Sequence, residues 1–453
     1  MREKLTNFKR TILMFIRIAN LAVLTAIFAY IWYTYYSEPI LPGAAIEFFR
    51  RGNWLIIAIY ALLLGAFTQL NGGYKVGDYR ISEMIYSNFI SITFINFIYY
   101  FLIALMWRAF PLASYLVLLS IIQYVYMFFW CIISNKIYFK LYKPRKVIYF
   151  YQSDEPSIVL EKMHRRHDKY DVQEVFRIFD TVNFYKAIES FDAVVLDRVS
   201  AANREACIEA CYMNKVRLYM VPSFDDVIIE SSMMINLLDT PLYLMKNRGL
   251  SFEQHLIKRG LDLLIGIPLF IVACPFMLLT AIAIKLDDHG PVLYKQERLT
   301  IGGRVFKIYK FRSMRVDAEK DGKAVLMCQN DDRITRVGRF IRKCRLDELP
   351  QLINVIKGDM SLVGPRPERP QIAEEYYQTM PEFKFRLMGK AGITGYAQVM
   401  GKYNTTPYDK LVFDLMYLEN YSILFDFKIM LLTLKTLFNV DATEGVLKRK
   451  DKE

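Results

Sequence analysis

Hydrophobic and polar positions divide the chain into three regimes. In the first, four apolar stretches follow one another at about 12–34, 54–71, 84–107 and 111–133. Each approaches the ~20 residues a helix needs to cross the hydrocarbon core of a bilayer. Tyr and Trp gather at their ends, in YIWYTYY, FIYYFLIALMW and YVYMFFWCI, as they do at a membrane–water interface. The first stretch is too long for a cleavable signal peptide, and no small-residue cleavage site follows it. The pattern predicts a bundle of four membrane-spanning helices over 1–144.

In the second regime, 145–250, short β-rich runs (KVIYFY, DAVVLD, VRLYMVP) alternate with helical stretches at 156–166 and 202–214. That alternation predicts a small α/β domain with a parallel sheet. A dinucleotide-binding unit of this type carries Gly-x-Gly-x-x-Gly after its first strand, where glycine lets the backbone approach a pyrophosphate. The corresponding YFYQSDEPSIVLEK has no glycine, so the domain reads as degenerate Rossmann-like, structural or regulatory, and an epimerase centred on it is disfavoured.

The third regime, 251–453, opens on KRGLDLLIGIPLFIVACPFMLLTAIAIKL (258–286). This stretch is long enough to span, yet it holds Asp262, Pro268 and Pro275 and is basic at both ends, at Lys258, Arg259 and Lys285. Proline inside a helix removes a hydrogen bond and kinks it. A kinked hairpin that enters and leaves on one membrane face fits this charge pattern better than a crossing, with Arg259 and Asp262 pairing three residues apart. A polar, Lys/Arg-rich stretch continues to about 410. The tail FDLMYLENYSILFDFKIMLLTLKTLF places Lys428 and Lys435 on one face and apolar residues on the other, a pattern suited to a helix lying in the interface.

Charge adds an orientation. Basic residues crowd the N-terminal tail (Arg2, Lys4, Lys9, Arg10) and the segment after the fourth stretch (Lys136, Lys140, Lys143, Arg145, Lys146), whereas 37–53 holds only Arg50 and Arg51. The positive-inside rule therefore puts both ends of the bundle, and the polar loop NGGYKVGDYR (71–80), in the cytosol. The whole chain is 54% hydrophobic with net charge +13, mean hydropathy +0.17 and pI about 9.2. In a membrane chain such charge points to anionic headgroups and phosphorylated substrates, and no nucleic-acid motif accompanies it. The spans carry very few charges, which disfavours a transporter. Six scattered cysteines and the pair His164 and His167 form no zinc set.

The chemistry concentrates in IRKCRLDELPQLINVIKGDMSLVGPRP (341–367). Leu346, Leu349, Ile353 and Ile356 recur at helical spacing, and Pro350 is tolerable only in a first turn. Asp347 and Glu348 are thus predicted at a helix N-terminus, where the free N–H groups stabilise negative charge. Adjacent helical side chains point about 100° apart, so one carboxylate can attack while the other holds a metal. Lys307, Lys310, Arg312, Arg342, Arg345 and Arg366 supply cations for a diphosphate. Spacing alone favours an acidic pair that merely caps a helix.

A resemblance shifts that balance. KRGLDLLI…CP, GPVLYKQERLTIGGRVFKIYKFRSM, RITRVGRFIRKCRLDELPQLINVIKGDMSLVGPRP and GITGYAQVMGK follow one another over 252–438. Their order resembles the catalytic domain of the bacterial sugar transferases called monotopic phosphoglycosyl transferases. The preceding bundle and α/β domain are similar to the large polyprenyl glycosylphosphotransferase branch. The resemblance implies an α+β monotopic catalytic domain over 251–453, with a re-entrant helix at 256–286 and interfacial C-terminal helices. It implies transfer of sugar-1-phosphate from a UDP-sugar, UDP-glucose or UDP-galactose, to polyprenyl (undecaprenyl) phosphate, initiating exopolysaccharide, capsule or O-antigen synthesis. Asp347 would be the nucleophile, Glu348 with Asp347 would hold Mg²⁺, and UMP would leave. Substrate contacts would come from Lys310, Arg312, Arg342, Arg345, Pro365, Arg366, Pro367, Gln398 and Lys402. A cytosolic-face site in the bacterial inner membrane, contact with membrane lipids and a homodimer are further implications. Where the family breaks its re-entrant helix at Ser-Pro, this chain has Cys274-Pro275; NDDR and Ala391 are further departures, and none touches the acidic pair. The rival class is a decayed membrane scaffold of a polysaccharide assembly complex.

Overall fold

The computed structural model describes residues 2–37, 50–153, 157–177, 184–185, 188, 190–245, 249–315, 333–401 and 405–437. It divides into two compact units, Met1–Val221 and Pro222–Glu453.

The first unit begins with four long apolar helices, α1 Arg2–Ile31, α2 Arg50–Leu70, α3 Ile81–Trp107 and α4 Ala113–Leu141. All are long and apolar enough to cross a membrane. The fourth runs past its apolar stretch to Leu141, so its polar last turns project toward the α/β domain. Aromatic rings fill the bundle core, with Phe28 stacked on Tyr60 at 3.8 Å between centroids. Two buried amides and a tyrosine share a network: Asn96 Nδ2 donates to Gln123 Oε1 (3.0 Å), Tyr60 OH donates to Asn96 Oδ1 (2.8 Å), and Gln123 Nε2 donates to Tyr60 OH (2.9 Å). Among the described residues, the fully buried polar side chains of the bundle are uncharged. Such a network fixes helix register without providing an ion path.

The bundle leads into a four-stranded parallel sheet in the order β2-β1-β3-β4, from β1 Arg145–Tyr151, β2 Tyr170–Phe176, β3 Ala193–Asp197 and β4 Arg217–Met220. The central strands β1 and β3 are continuous apolar runs because both faces of a parallel sheet are covered. Strand β2 (YDVQEVF) escaped the sequence reading: it is an edge strand in which Asp171, Gln173 and Glu174 interrupt the apolar residues and no residue is buried. At the glycine-free turn after β1, Ser157 donates its N–H to Asp197 Oδ2 (2.7 Å), and Tyr149 OH donates to the same oxygen (2.7 Å). The group that would face a bound phosphate in a dinucleotide site is thus engaged by the protein's own carboxylate. Cys207 and Cys211 are core residues of the helix Ala201–Met213, and burial pushes their thiols up to about 12 and about 11.

The second unit is built on one helix, Phe252–Asp288, started by a Ser251–Gln254 capping box. It runs as helix through both Pro268 and Pro275, rather than as two helices separated at Cys274-Pro275. Lys258, Asp262, Gly266, Ala273, Thr280 and Ile284 form one buried stripe along its length. Leu264, Ile271, Val272, Leu279 and Leu286 on other faces are each more than 60% exposed. Against the stripe lie the helices Arg336–Lys343 and Gln351–Lys357 and the strand Ser361–Val363, which pairs in parallel with Gly392–Thr394; the antiparallel hairpin Leu293–Leu299/Val305–Phe311 packs through its second strand on the Gln351–Lys357 helix. Two further helices, Pro407–Glu419 and Ile423–Leu437, close the domain. The last was expected to rest its apolar face on a membrane; part of that face, Ile429, Leu431 and Leu432, is buried in the protein, while Ile423, Leu424 and Leu434 stay exposed.

Candidate active site

Strand Val305–Phe311 alternates over its first half, burying Phe306 and Ile308, and ends on Phe311, which is buried at the opposite parity. Lys310 shares the parity of Phe306 and Ile308, so its stem points inward. There its Nζ meets Glu348 Oε1 at 2.9 Å. Arg366 Nη2 reaches the same oxygen at 3.4 Å. Burial pushes the Glu348 carboxyl up, but Lys310 and Arg366 outweigh it, and the group lies well below the usual carboxylate range. Asp347, next in the chain, behaves oppositely. Burial and the Glu348 charge raise it to about 6, with Lys310 and Arg342 only partly offsetting them.

The pair sits in a single 3₁₀ turn, Leu346–Glu348, after Arg345 at φ 54°. The α-helix proper begins at Gln351, beyond Pro350, so the carboxylates precede the helix rather than forming its first turn. Its core side is also not the expected one: Leu352, Asn354 and Val355 are buried, while Ile353 and Ile356 are only half-buried. The reason is Asn354, a polar residue that an apolar periodicity ignores. Its Oδ1 accepts from Tyr309 N (3.0 Å) and its Nδ2 donates to Lys307 O (2.8 Å), continuing the strand's hydrogen bonding. The helix after Glu348 is thereby pinned to the strand that carries Lys310.

The Phe252–Asp288 helix holds the same segment from below. Arg259 donates to the C-terminal carbonyls of Val355 (2.6 Å) and Ile356 (2.7 Å), where Gly358 at φ 91° ends the helix. Asp262 Oδ1 accepts from Ser361 Oγ and Leu362 N, both at 2.9 Å. The predicted Arg259–Asp262 pair is therefore replaced by two separate grips on the segment 355–362. Asp262 is buried and Arg259 half-buried, and main-chain and hydroxyl groups of the domain packed on the helix are their partners. Lys258 is buried with Asp426 (2.7 Å) and Tyr417 OH (2.9 Å). Gly364 then passes so close to the neighbouring strand that a Cβ would lie 2.2 Å from Lys390 O.

The structure thus brings together Asp347, Glu348, Lys310, Arg342, Arg345 and Arg366, with Pro365 and Pro367 flanking the last. Arg342 Nη1 is buried with no protein acceptor, a donor available to an anion. Arg345 contributes to holding Glu348 ionised. Arg312 goes elsewhere: it is 7% exposed and pairs with Asp288 at the end of the long helix. Gln398 Nε2 donates to Ile393 O at 3.4 Å, and its buried Oε1 has no partner. Cys274 is exposed and Pro275 lies inside the helix. Lys402 lies outside the described residues. No cluster of three His, Cys, Asp or Glu side chains suited to a metal occurs among the described residues. Two adjacent carboxylates nevertheless fit Mg²⁺, which keeps several waters and takes substrate phosphates as ligands.

Residues 253–440 match the model of the bacterial sugar transferase family. The chain is 37% identical over 264 residues to a UDP-N-acetylgalactosamine-undecaprenyl-phosphate N-acetylgalactosaminephosphotransferase of Aeromonas hydrophila, covering 54% of this chain and 59% of that one. It is 40% identical over 198 residues to the UDP-glucose:undecaprenyl-phosphate glucose-1-phosphate transferase of Escherichia coli K12, covering 43% and 42%. A Caulobacter vibrioides protein of that same name is 41% identical over 190 residues, covering 41% of this chain and 70% of the relative. The chain belongs to the bacterial sugar transferase family. It spans about half the length of the first two of these relatives.

Proposed function

We propose that the protein is a phosphoglycosyl transferase that moves sugar-1-phosphate from a UDP-sugar to polyprenyl phosphate, initiating a surface glycan. The observation that carries this reading is the split pair: Glu348 neutralised by Lys310 and Arg366, beside Asp347 raised to about 6 with Arg342 at hand. Two neighbouring carboxyls with separated affinities for protons have separate tasks.

In the first half-reaction, an ionised Asp347 oxygen attacks the sugar-bearing phosphorus. The bond to the bridging oxygen breaks, and UMP leaves with its electron pair. Lys310, Arg342 and Arg366 offset the charge that grows on the leaving phosphate. In the second, a phosphate oxygen of the lipid attacks the same phosphorus and returns the Asp347 carboxylate. Glu348, with Asp347, would hold Mg²⁺, which when bound would supply further charge neutralisation of the diphosphate.

The lipid enters through the long helix. A helix gripped by one domain at Lys258, Asp262, Ala273 and Ile284 does not carry that domain across a bilayer, and its uncovered Leu and Ile side chains suit acyl chains. This supports a re-entrant or embedded helix, four spans in the bundle, and an active site at the cytosolic face of the bacterial inner membrane. The relatives carry glucose and N-acetylgalactosamine in their names, and a UDP-hexose is the donor class proposed here.

The test is the half-reaction. Protein in nanodiscs is mixed with Mg²⁺ and UDP-sugars without lipid acceptor, and UMP and the mass of the Asp347 peptide are followed. A stoichiometric UMP burst with a phosphosugar adduct on Asp347 is expected. Turnover with lipid but neither burst nor adduct without it would replace the covalent course by direct transfer. No UMP under any condition would leave the scaffold reading.

A further inference from the structure

The Arg366 side chain is loosely held: it is half-exposed and touches Glu348 at a single distance of 3.4 Å. Its direction must therefore come from its backbone. That backbone is unusual, because Pro365 and Pro367 have no N–H and the segment must be fastened largely through its carbonyls. Four consecutive ones are occupied. Pro365 O accepts from Gly392 N (3.0 Å) and Glu368 O from Leu299 N (3.0 Å). Between them, Arg366 O accepts from Arg386 Nη2 (2.9 Å) and Pro367 O from Arg298 Nη1 (3.1 Å).

The two inner donors are guanidinium groups from different elements, and each is held from behind. Arg386 is 3% exposed, with Nε on Asp414 Oδ2 (3.0 Å) and Nη1 on Glu368 Oε1 (3.5 Å). Arg298 is braced by Gln296 Oε1 at 2.7 Å from its Nη2. A planar fork meeting separate acceptors in fixed directions is a job lysine does poorly.

We propose that Arg298 and Arg386 are positioning residues that aim Arg366 at the acidic pair, and so set affinity for the anionic donor. Taking that donor to be a nucleoside diphosphate sugar rests on the function proposed above. Neither residue touches the reacting atoms.

The experiment uses the full chain in nanodiscs, with Arg298→Lys, Arg386→Lys, Arg366→Ala and each Lys variant combined with Arg366→Ala. Each Lys variant should raise donor KM about tenfold, leave kcat within about twofold and leave the lipid-acceptor KM unchanged. In the Arg366→Ala background the Lys substitutions should add nothing, since what they aim is gone. Multiplicative losses in the double variants, or a fall in kcat alone, would overturn the proposal. Arg386→Lys strands Asp414 and Glu368, so it risks failing to fold. Arg298→Lys strands no carboxylate and then decides the matter alone. Hydrogen exchange over 361–369 gives a second readout free of any donor. Faster exchange in Arg298→Lys supports the clamp even if wild type releases no UMP, an outcome that would sink only the proposed function. Unchanged exchange would overturn the clamp.

Discussion

Asp347 and Glu348 are neighbours with opposite electrostatics, and that difference can be measured. The ordinary Asp347 value of 3.8 rises to about 6 in the fold. The folded state therefore holds the proton more tightly, and stability declines as pH rises from about 4 to about 6. Asp347→Asn removes the decline. At pH 7.5 the variant should be more stable than wild type by about 1–2 kcal/mol, discounted for partial exposure, and at pH 4 no more stable. Thermal unfolding at the two pH values checks this, and turnover of the variant should be absent. On the proposed covalent course attack needs the ionised form, so kcat/KM for the donor should show an acid limb near pH 6. Glu348 carries the reverse sign. Its depressed proton affinity stabilises the fold above its ordinary 4.5 and is lost as pH falls below that. Glu348→Gln should therefore destabilise at neutral pH, leaving Lys310 and Arg366 facing each other; an unfolding midpoint equal to wild type would contradict the pairing.

The long helix shows what a linear pattern reveals and what it hides. Its apolar length, its prolines and its basic ends are all visible in the sequence. The use of Arg259 and Asp262 is not, because their partners lie about a hundred positions away and are mostly main-chain groups. The same holds for Asn354, and for the bonds from Arg298 to Pro367 O and from Arg386 to Arg366 O, because backbone atoms have no letter in a sequence. Lys310, Arg342 and Arg366 stood out because a diphosphate site would need cations near a carboxylate pair, and the fold does bring these three to that pair. Arg312 carried the same signal, yet its pairing with Asp288 takes it to the end of the helix. Asp262 offers the sharpest test. Asp262→Ala leaves a buried hydroxyl and a buried N–H unpartnered and should cost about 2 kcal/mol or more, whereas Asp262→Asn keeps an acceptor and should cost about half that. Chemical unfolding in detergent measures both; equal losses would mean that the carboxylate charge, not the two hydrogen bonds, is what the site uses.

At the scale of the molecule, the chemistry and most of the membrane helices belong to different units. Every residue placed in the site lies in Pro222–Glu453, whereas the four-helix bundle and the parallel sheet lie in Met1–Val221. The match to the Caulobacter relative uses 41% of this chain yet covers 70% of that protein, so little of the relative is left to correspond to the first unit. The Pro222–Glu453 unit also owns an apolar helix long enough to hold it at a membrane. A chain of residues 222–453 should therefore fractionate with membranes and retain the UMP-releasing half-reaction within about tenfold of the full protein, a loss of no more than about 1.4 kcal/mol of transition-state stabilisation. Membrane pelleting and UMP release, assayed side by side, check the two halves of that expectation. If the shortened chain pellets with membranes but releases no UMP, the first unit supplies something to catalysis that no side chain of the Asp347 site reveals. If it does neither, the bundle is the anchor on which the catalytic unit depends, and the long helix is part of the domain's core rather than its hold on the lipid.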